Sequence, residues 1–197
     1  MHERRFHHSR AHLLEDPERR TWLPPDEIVA ALKLCSGESV VDIGAGTGYF
    51  SLPIAAAVAP AGRVFAVDVS PEMLERLGSK LTQAGVGNVA CVEGEAASTG
   101  LPSQCASLVF MASVWHEFDD HAAVLAEARR LLQPAGRIAI LDWRPDADPE
   151  HGPPVAHRIA AIAAQAALES AGFVTQHAGN AGRYSWFVTA QFGVSTT

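Results

Sequence analysis

Val40-Val41-Asp42-Ile43-Gly44-Ala45-Gly46-Thr47-Gly48-Tyr49-Phe50 is the stretch that decides the fold. It runs from β-branched residues suited to a strand, through three alternating glycines, into residues that open a helix. Glycine permits a tight turn and lets backbone approach a ligand beyond the end of a strand. Spacing separates the ligands such a loop can serve. The dinucleotide pattern G-x-G-x-x-G needs glycine at position 49, where Tyr49 stands, and a triphosphate loop needs Lys then Ser or Thr after the last glycine, which is absent. What remains is Asp-x-Gly-x-Gly-x-Gly.

Outward from this loop, short β-rich runs alternate with helical stretches. The runs are Ser39–Ile43, Arg63–Val67, Asn88–Val92, Leu108–Met111 and Arg137–Leu141. Each is apolar nearly throughout, the pattern of parallel strands covered on both faces. Ser70-Pro71-Glu72 supplies an N-cap, a first-turn proline and an acid before the apolar stripe Met73, Leu74, Leu77, and Gly85 ends that helix. A second helix opens at Asp119 or Asp120 with Val124, Leu125, Ala128, Leu131 and Leu132 on one side. A third is expected from Pro153-Pro154 through Val155, Ile159, Ile162 and Ala166 to Gly172. Two final runs, Phe173–His177 and Tyr184–Phe192, flank a turn expected at Gly179-Asn180-Ala181-Gly182, which implies an antiparallel pair at the sheet's end. The expected architecture is α/β, a Rossmann-like doubly wound, mostly parallel seven-stranded sheet with an antiparallel C-terminal strand. Residues 1–35 read as an extension carrying one helix at Pro24-Pro25-Asp26, and 36–197 as the domain.

Composition narrows the function. With 197 residues, 48% in the hydrophobic set, the chain can bury one sizeable core. No apolar run approaches the ~20 residues of a membrane span, and the N-terminus lacks an apolar signal region, so a soluble, cytoplasmic protein is expected. Lys and Arg number 15 against 22 acids, a net charge of -7, which argues against nucleic acid as a partner. Cys35, Cys91 and Cys105 lack paired spacing and read as reduced, mostly buried small residues.

The segment Asp42-Ile43-Gly44-Ala45-Gly46-Thr47-Gly48 resembles motif I of class I S-adenosylmethionine-dependent methyltransferases, and further segments agree in order. Val67-Asp68-Val69-Ser70-Pro71-Glu72-Met73-Leu74 is similar to the family's second motif. The resemblance implies that Asp68 holds the ribose hydroxyls, a task suited to a carboxylate acceptor, with Val69 and Met73 beside it. Gly94-Glu95-Ala96 stands where the family often has Gly-Asp-Ala, implying an adenine contact by Glu95 and Ala96 through a longer side chain. Ser107–Ser113 resembles the fourth strand beneath the cofactor, placing Ser113 in the site, and Leu132-Gln133-Pro134-Ala135-Gly136-Arg137 the turn into the fifth. The wording is most like the small-molecule branch that includes ubiquinone and menaquinone biosynthesis methyltransferases. The resemblance therefore implies S-adenosylmethionine as cofactor, S-adenosylhomocysteine as product and a small-molecule acceptor; the sequence leaves monomer or homodimer open.

In open α/β sheets ligands lie beyond the carboxyl ends of the strands. The acceptor is therefore expected near Ser113-Val114-Trp115-His116-Glu117-Phe118 and Asp142-Trp143-Arg144-Pro145. His116 is the candidate catalytic base, Trp115 and Trp143 the expected walls, and Asp142 or Glu117 the orienting acids; a capping role for His116 is the plainer alternative. His2, His7, His8 and His12 crowd the N-terminus, yet no acid or cysteine stands at ligand spacing, so no metal is expected. That segment reads either as a solvated tail or, with Phe6, Leu13 and Trp22, as a lid over the cofactor. His151, His157 and Arg158 read as solvent-facing or as further acceptor contacts. No Asn/Asp-Pro-Pro-Tyr/Phe follows strand four, which disfavours a nucleobase acceptor. Transfer to O, C, S or N stays open, as does a non-catalytic SAM-binding sensor or partner subunit. A nicotinamide oxidoreductase is the weakest reading, on Tyr49.

Overall fold

A computed structural model describes residues 6–193. Its sheet has seven strands in the order β3-β2-β1-β4-β5-β7-β6. They are β1 (Ser39–Ile43), β2 (Arg63–Asp68), β3 (Val89–Glu93), β4 (Ala106–Ala112), β5 (Leu132–Trp143), β6 (Phe173–Ala181) and β7 (Ser185–Phe192). The first five run parallel, and β7 is antiparallel to both its neighbours. Strand order reverses between β1 and β4, the switch point at which an open α/β sheet leaves a crevice. Ile43 is level with Val67 on one side and Met111 on the other, so the carboxyl ends of β1, β2 and β4 lie abreast.

Strand alternation builds two cores. Val40, Leu108, Phe110, Ala139, Leu141 and Phe187 point to the layer of α2 (Pro25–Ala31) and α3 (Ser51–Val58), packing on Ile28, Val29, Ile54 and Val58. Their chain neighbours Val41, Val109, Met111, Ile138, Ile140 and Val188 point to α5 (His121–Leu131) and α6 (Ala161–Ser170), packing on Val124, Leu125, Leu131 and Leu168. The period of two along a strand sends successive side chains to opposite faces. On the other flank of the switch point, α4 (Pro71–Ala84) lays Leu77 and Leu81 on Ala66. Its ends follow the sequence: Ser70 Oγ accepts from Met73 N at 3.3 Å, and Gly85 takes φ +65° at the C-cap. Asp120 likewise accepts from Ala123 N at 2.9 Å at the start of α5.

Four sequence expectations are corrected. The strand β3 is not covered on both faces; as an edge strand it leaves Val89 and Val92 only half-buried and Cys91 exposed. Cys35 is also exposed and Cys105 only partly buried, because both sit in loops. The third helix does not start at Pro153-Pro154: a single 3-10 turn spans Val155–His157, and α6 follows from Ala161. Ile162 is accordingly 72% exposed, whereas Ala164 and Leu168 are buried. The hairpin turn falls later than Gly179, at Gly182-Arg183-Tyr184, since β6 stays paired through Ala181↔Ser185.

Residues ahead of β1 wrap the loop side of the sheet. A 3-10 helix (His8–Glu15), α1 (Arg19–Trp22) and α2 follow one another. Arg19 is buried, with its guanidinium 4.0 Å from the Tyr49 ring centre and donating to Leu14 O, and Tyr49 Oη donates to Leu23 O. Burial pushes the Arg19 pKa down to about 10 against the pull of Tyr49.

Candidate active site

The glycine loop turns directly off β1. Gly44, Gly46 and Gly48 all have positive φ, at +73°, +53° and +85°. At Gly44 a Cβ would come within 2.5 Å of Val114, and at Gly48 within 2.3 Å of Leu77. These two glycines therefore let the loop close onto β4's exit and onto α4. Gly46 is different: its missing Cβ faces Leu14 of the N-terminal segment at 3.4 Å.

Asp68, at the end of β2, joins the loop to α4. Its Oδ2 accepts from Gly46 N at 2.8 Å and its Oδ1 from Ser70 N at 2.9 Å, while Gly94 N donates to its carbonyl. Glu95 and Ala96 follow on this same rim, Glu95 exposed and Ala96 half-buried; Val69 is exposed and Met73 buried beneath. Ser113 leaves β4 at φ +58°, its N bonded to Leu141 O and its Oγ buried with no hydrogen-bond partner among the described residues. These features fit the expected cofactor. A carboxylate at the tip of β2 suits a ribose diol, a glycine turn admits close backbone contact, and an orphaned buried hydroxyl at the switch point suits a polar ligand.

Asp42 stands apart from the other motif residues. Its carboxyl is buried below the loop, where Ser51 Oγ donates to Oδ2 at 2.6 Å. It braces the loop against α3 from below. Burial, reinforced by the charge of Asp68 and opposed by Ser51, raises its pKa to about 7.

On the far side of Gly44 the exits of β4 and β5 hold a His–Asp pair. His116 Nδ1 lies 2.8 Å from Asp142 Oδ1, and the His116 and Trp143 backbone N–H groups donate to the same carboxylate at 2.8 and 2.7 Å. Asp142 is thus saturated by donors, with its charge buried and paired. An ionised Asp142 fixes the Nδ1–H tautomer, leaving Nε2 as the basic atom. Burial draws the His116 pKa down, but the bond and charge of Asp142, helped by Glu117, more than offset it; the net shift is upward, with Arg158 opposing.

Glu117 lies between the two halves. Its carboxylate is 3.9 Å from His116 Nε2, accepts from the Phe6 N–H, and feels the charges of both Asp142 and Asp68. Burial raises its pKa to about 7 despite His116 and Phe6. One crevice therefore carries the loop, Asp68, Glu117 and the His116–Asp142 pair.

Trp115 is the exception among the expected wall residues. Its indole is 1% exposed, packed in the core near Phe118 and His121, so it supports the site from below. Trp143 lies at the rim against Trp22, with ring centres 5.4 Å apart. His151 stacks on Tyr184 at 4.6 Å, and His157 is half-buried on the 3-10 turn. Of the N-terminal histidines, His7 bonds Ser9, His8 approaches Glu72 at 3.9 Å and His12 is exposed. His2 lies outside the described residues. No three potential metal ligands converge among the described residues, and no described helix is long and apolar enough to cross a membrane.

Sequence reasoning missed the role of Lys80, and its solvent-facing reading of Arg158 is corrected by burial of that side chain. Lys80 of α4 reaches over the loop, donating to Thr47 O at 3.1 Å and pairing with Glu15 Oε1 at 2.7 Å. Arg158, buried, gathers backbone carbonyls of the segment after β5. Lys80 is far in the chain from Thr47 and Glu15, whereas the carbonyls that Arg158 gathers lie 5 to 14 positions before it.

Comparison with known proteins bears on the family and the fold. Residues 41–140 match a family model described as a methyltransferase domain, about half of the chain. Demethylmenaquinone methyltransferases from Listeria monocytogenes and Geobacillus kaustophilus are 29% and 26% identical over 116 and 117 residues. Each alignment covers 59% of this chain and 49% or 50% of the relative, so the chain spans about half the length of the curated relatives it matches. A SAM-dependent methyltransferase from Aquifex aeolicus superposes with a TM-score of 0.91 at 28% identity, over 96% of this chain and 100% of that one. A type 11 methyltransferase structure from Sulfolobus solfataricus shares the fold, with a TM-score of 0.74 at 20% identity over 89% and 96% of the two chains. The glycine loop, the strand order and these matches together place the chain in the class I, S-adenosylmethionine-dependent methyltransferase family.

Proposed function

We propose that this chain transfers the methyl group of S-adenosylmethionine to a small acceptor that gives up a proton, with His116 as the base. The observation that carries the reading is the buried His116–Asp142 pair, set beside the glycine loop through Val114 and Gly44. When bound, the sulfonium donor supplies an activated methyl group for direct displacement. The residues of the chain then have three tasks: positioning, proton removal and exclusion of water. Positioning of two reactants is worth on the order of 7–11 kcal/mol.

Asp68 and the loop backbone hold the donor's ribose and tail end, with Glu95 at the adenine edge. With donor and acceptor bound, Asp142 would hold the imidazole so that Nε2 takes the proton the acceptor releases on methylation, and the resulting imidazolium charge would be paired with Asp142. The N-terminal segment closes the site as a lid, through Leu14 over Gly46, Glu15 on Lys80 and Phe6 on Glu117. The curated relatives methylate demethylmenaquinone by name, which supports a quinol-type ring as acceptor class, where a proton must leave from carbon or oxygen.

The test is a titration of the purified chain with S-adenosylmethionine, S-adenosylhomocysteine and NAD, followed by methyl-transfer assays on hydroquinones, phenols and thiols. Binding of the first two but not NAD, with turnover on a hydroquinone or phenol, is the expected result. His116→Gln should retain donor affinity and lose turnover by 10²-fold or more, on the order expected for general-base catalysis. Full turnover by that variant at every pH removes His116 as the base.

A further inference from the structure

Arg158 is a buried cation with no carboxylate partner among its hydrogen bonds. Its Nε and two terminal nitrogens donate only to backbone carbonyls: Pro153, Arg144, Ala147, Asp148 and His151, at 2.5–3.2 Å. Five carbonyls converging on one guanidinium fold the segment between β5 and α6 around it. A planar fork of five N–H donors can do this, and an ammonium with three cannot.

The segment so gathered abuts the acceptor side of the crevice. A Cβ on Gly152 would strike the Trp143 ring at 2.6 Å, and the guanidinium lies 5.9 Å from the same ring. Trp143 N in turn donates to the Asp142 carboxylate that holds His116. The groups acting on His116 are Asp142 from β5, Glu117 beside it in the chain, and Arg158 from beyond the 3-10 turn; Asp68 acts on Glu117 from across the crevice.

We infer that Arg158 is a positioning residue for methyl transfer: its fork of donors shapes the 144–154 segment as the acceptor-side wall. The inference rests on the proposed placement of the acceptor beside Trp143 and His116, and its first readout is independent of turnover.

Two variants test this in the full-length protein. Arg158→Lys keeps a cation but cannot span five carbonyls; Arg158→Met removes both. Amide exchange over 144–157 should quicken tenfold or more in both, while α5 stays protected. With a hydroquinone acceptor, KM should rise severalfold in both while S-adenosylmethionine affinity is kept. Unchanged exchange over 144–157, or an unchanged acceptor KM, in Arg158→Lys overturns the assignment, and that variant decides alone if the methionine variant does not fold. Should His116→Gln remain fully active, the base reading fails, and the exchange and KM results still judge Arg158 by themselves.

Discussion

Replacing Asp42 by Asn should make the protein more stable, and increasingly so as pH rises. In the folded chain this carboxyl titrates at about 7 instead of the ordinary 3.8, because burial strips its hydration. Unfolded, it ionises near 3.8. Between these values the native state holds the extra proton, so each added pH unit lowers stability by about 1.4 kcal/mol. The penalty is absent below about pH 4 and complete above about pH 7, where it amounts to about 4 kcal/mol. Asparagine keeps the shape and an oxygen that can still accept from Ser51 Oγ, now at 2.6 Å from Oδ2, but never ionises. Urea unfolding of both proteins at half-unit steps from pH 4.5 to 8.5 measures the difference. Near-equal stabilities at the acid end, diverging to a variant several kcal/mol more stable at pH 8, are expected. A gap that does not change with pH, or a less stable variant at pH 8, would refute the claim that this carboxyl is buried uncompensated. Donor titration with the same variant should show binding within a few-fold of the parent, since the carboxyl braces the loop from below.

Glu127 should behave in the opposite sense. It accepts from Thr99 N and Oγ1 and from Arg130, chiefly through the Arg130 bond, and its pKa is held down to about 2. The stabilisation is present above about pH 4.5 and lost as pH falls through 2, so Glu127→Gln should cost on the order of 1–2 kcal/mol in urea at pH 7, after screening of the half-exposed Arg130 pair, and far less at pH 2.5. Asp68→Ala should weaken S-adenosylmethionine binding by about 1.5–3 kcal/mol in calorimetry, through loss of charge-assisted bonds; unchanged affinity removes it from the site. Lys80→Met should speed donor dissociation a few-fold in stopped flow and remove most of its salt dependence, because the half-exposed Glu15 pair is screened by ions. Equal rates in both proteins at low salt would mean that the N-terminal segment is not a lid. The turnover of the parent should rise with pH through a limb above the ordinary histidine value of 6.5, since Asp142 favours the imidazolium that cannot act as base; a limb below that value contradicts the pairing.

How much of this was legible in the chain depends on the range of the interaction involved. Strand β1 lies where its residues predict, and α4 begins at Ser70 and ends before Gly85, because caps, prolines and glycines act on their own neighbours. The α6 region failed where two local signals competed. Pro153-Pro154 suits a helix start, but Arg158 needs the carbonyls of 144–153 bent inward, and the backbone there turns once and stops. The apolar spacing Val155, Ile159, Ile162 was therefore not a helical face, and the buried stripe began again at Ala164. The tail turn shifted for a similar reason. Gly179 and Asn180 carry turn residues, yet β7 pairs opposite them all the way to Ser185, and cross-strand bonding outweighs a local preference.

The candidate site divides along the same line. Its donor half is a sequence-local object: three glycines, Asp68 and the start of α4 lie within a strand–helix–strand unit, so spacing alone could point to them. Its acceptor half is assembled across the sheet. His116 and Asp142 are 26 positions apart and meet because β4 and β5 are parallel neighbours, with Met111 level with Ile140. Register therefore delivers both side chains to the same edge, and the pairing could be expected once the strand order was. Lys80 with Glu15, and Arg158 with its carbonyls, obey no such register, for the first joins a helix to an N-terminal segment and the second folds a loop onto its own end. Charge and burial decide them: a cation sealed from water must find oxygen atoms, and the backbone of the 144–153 segment is where Arg158 finds them. The candidate donor side thus resides in a motif, while the proposed acceptor side resides in loops held by bonds that no motif spells, so the second is harder to read from sequence than the first.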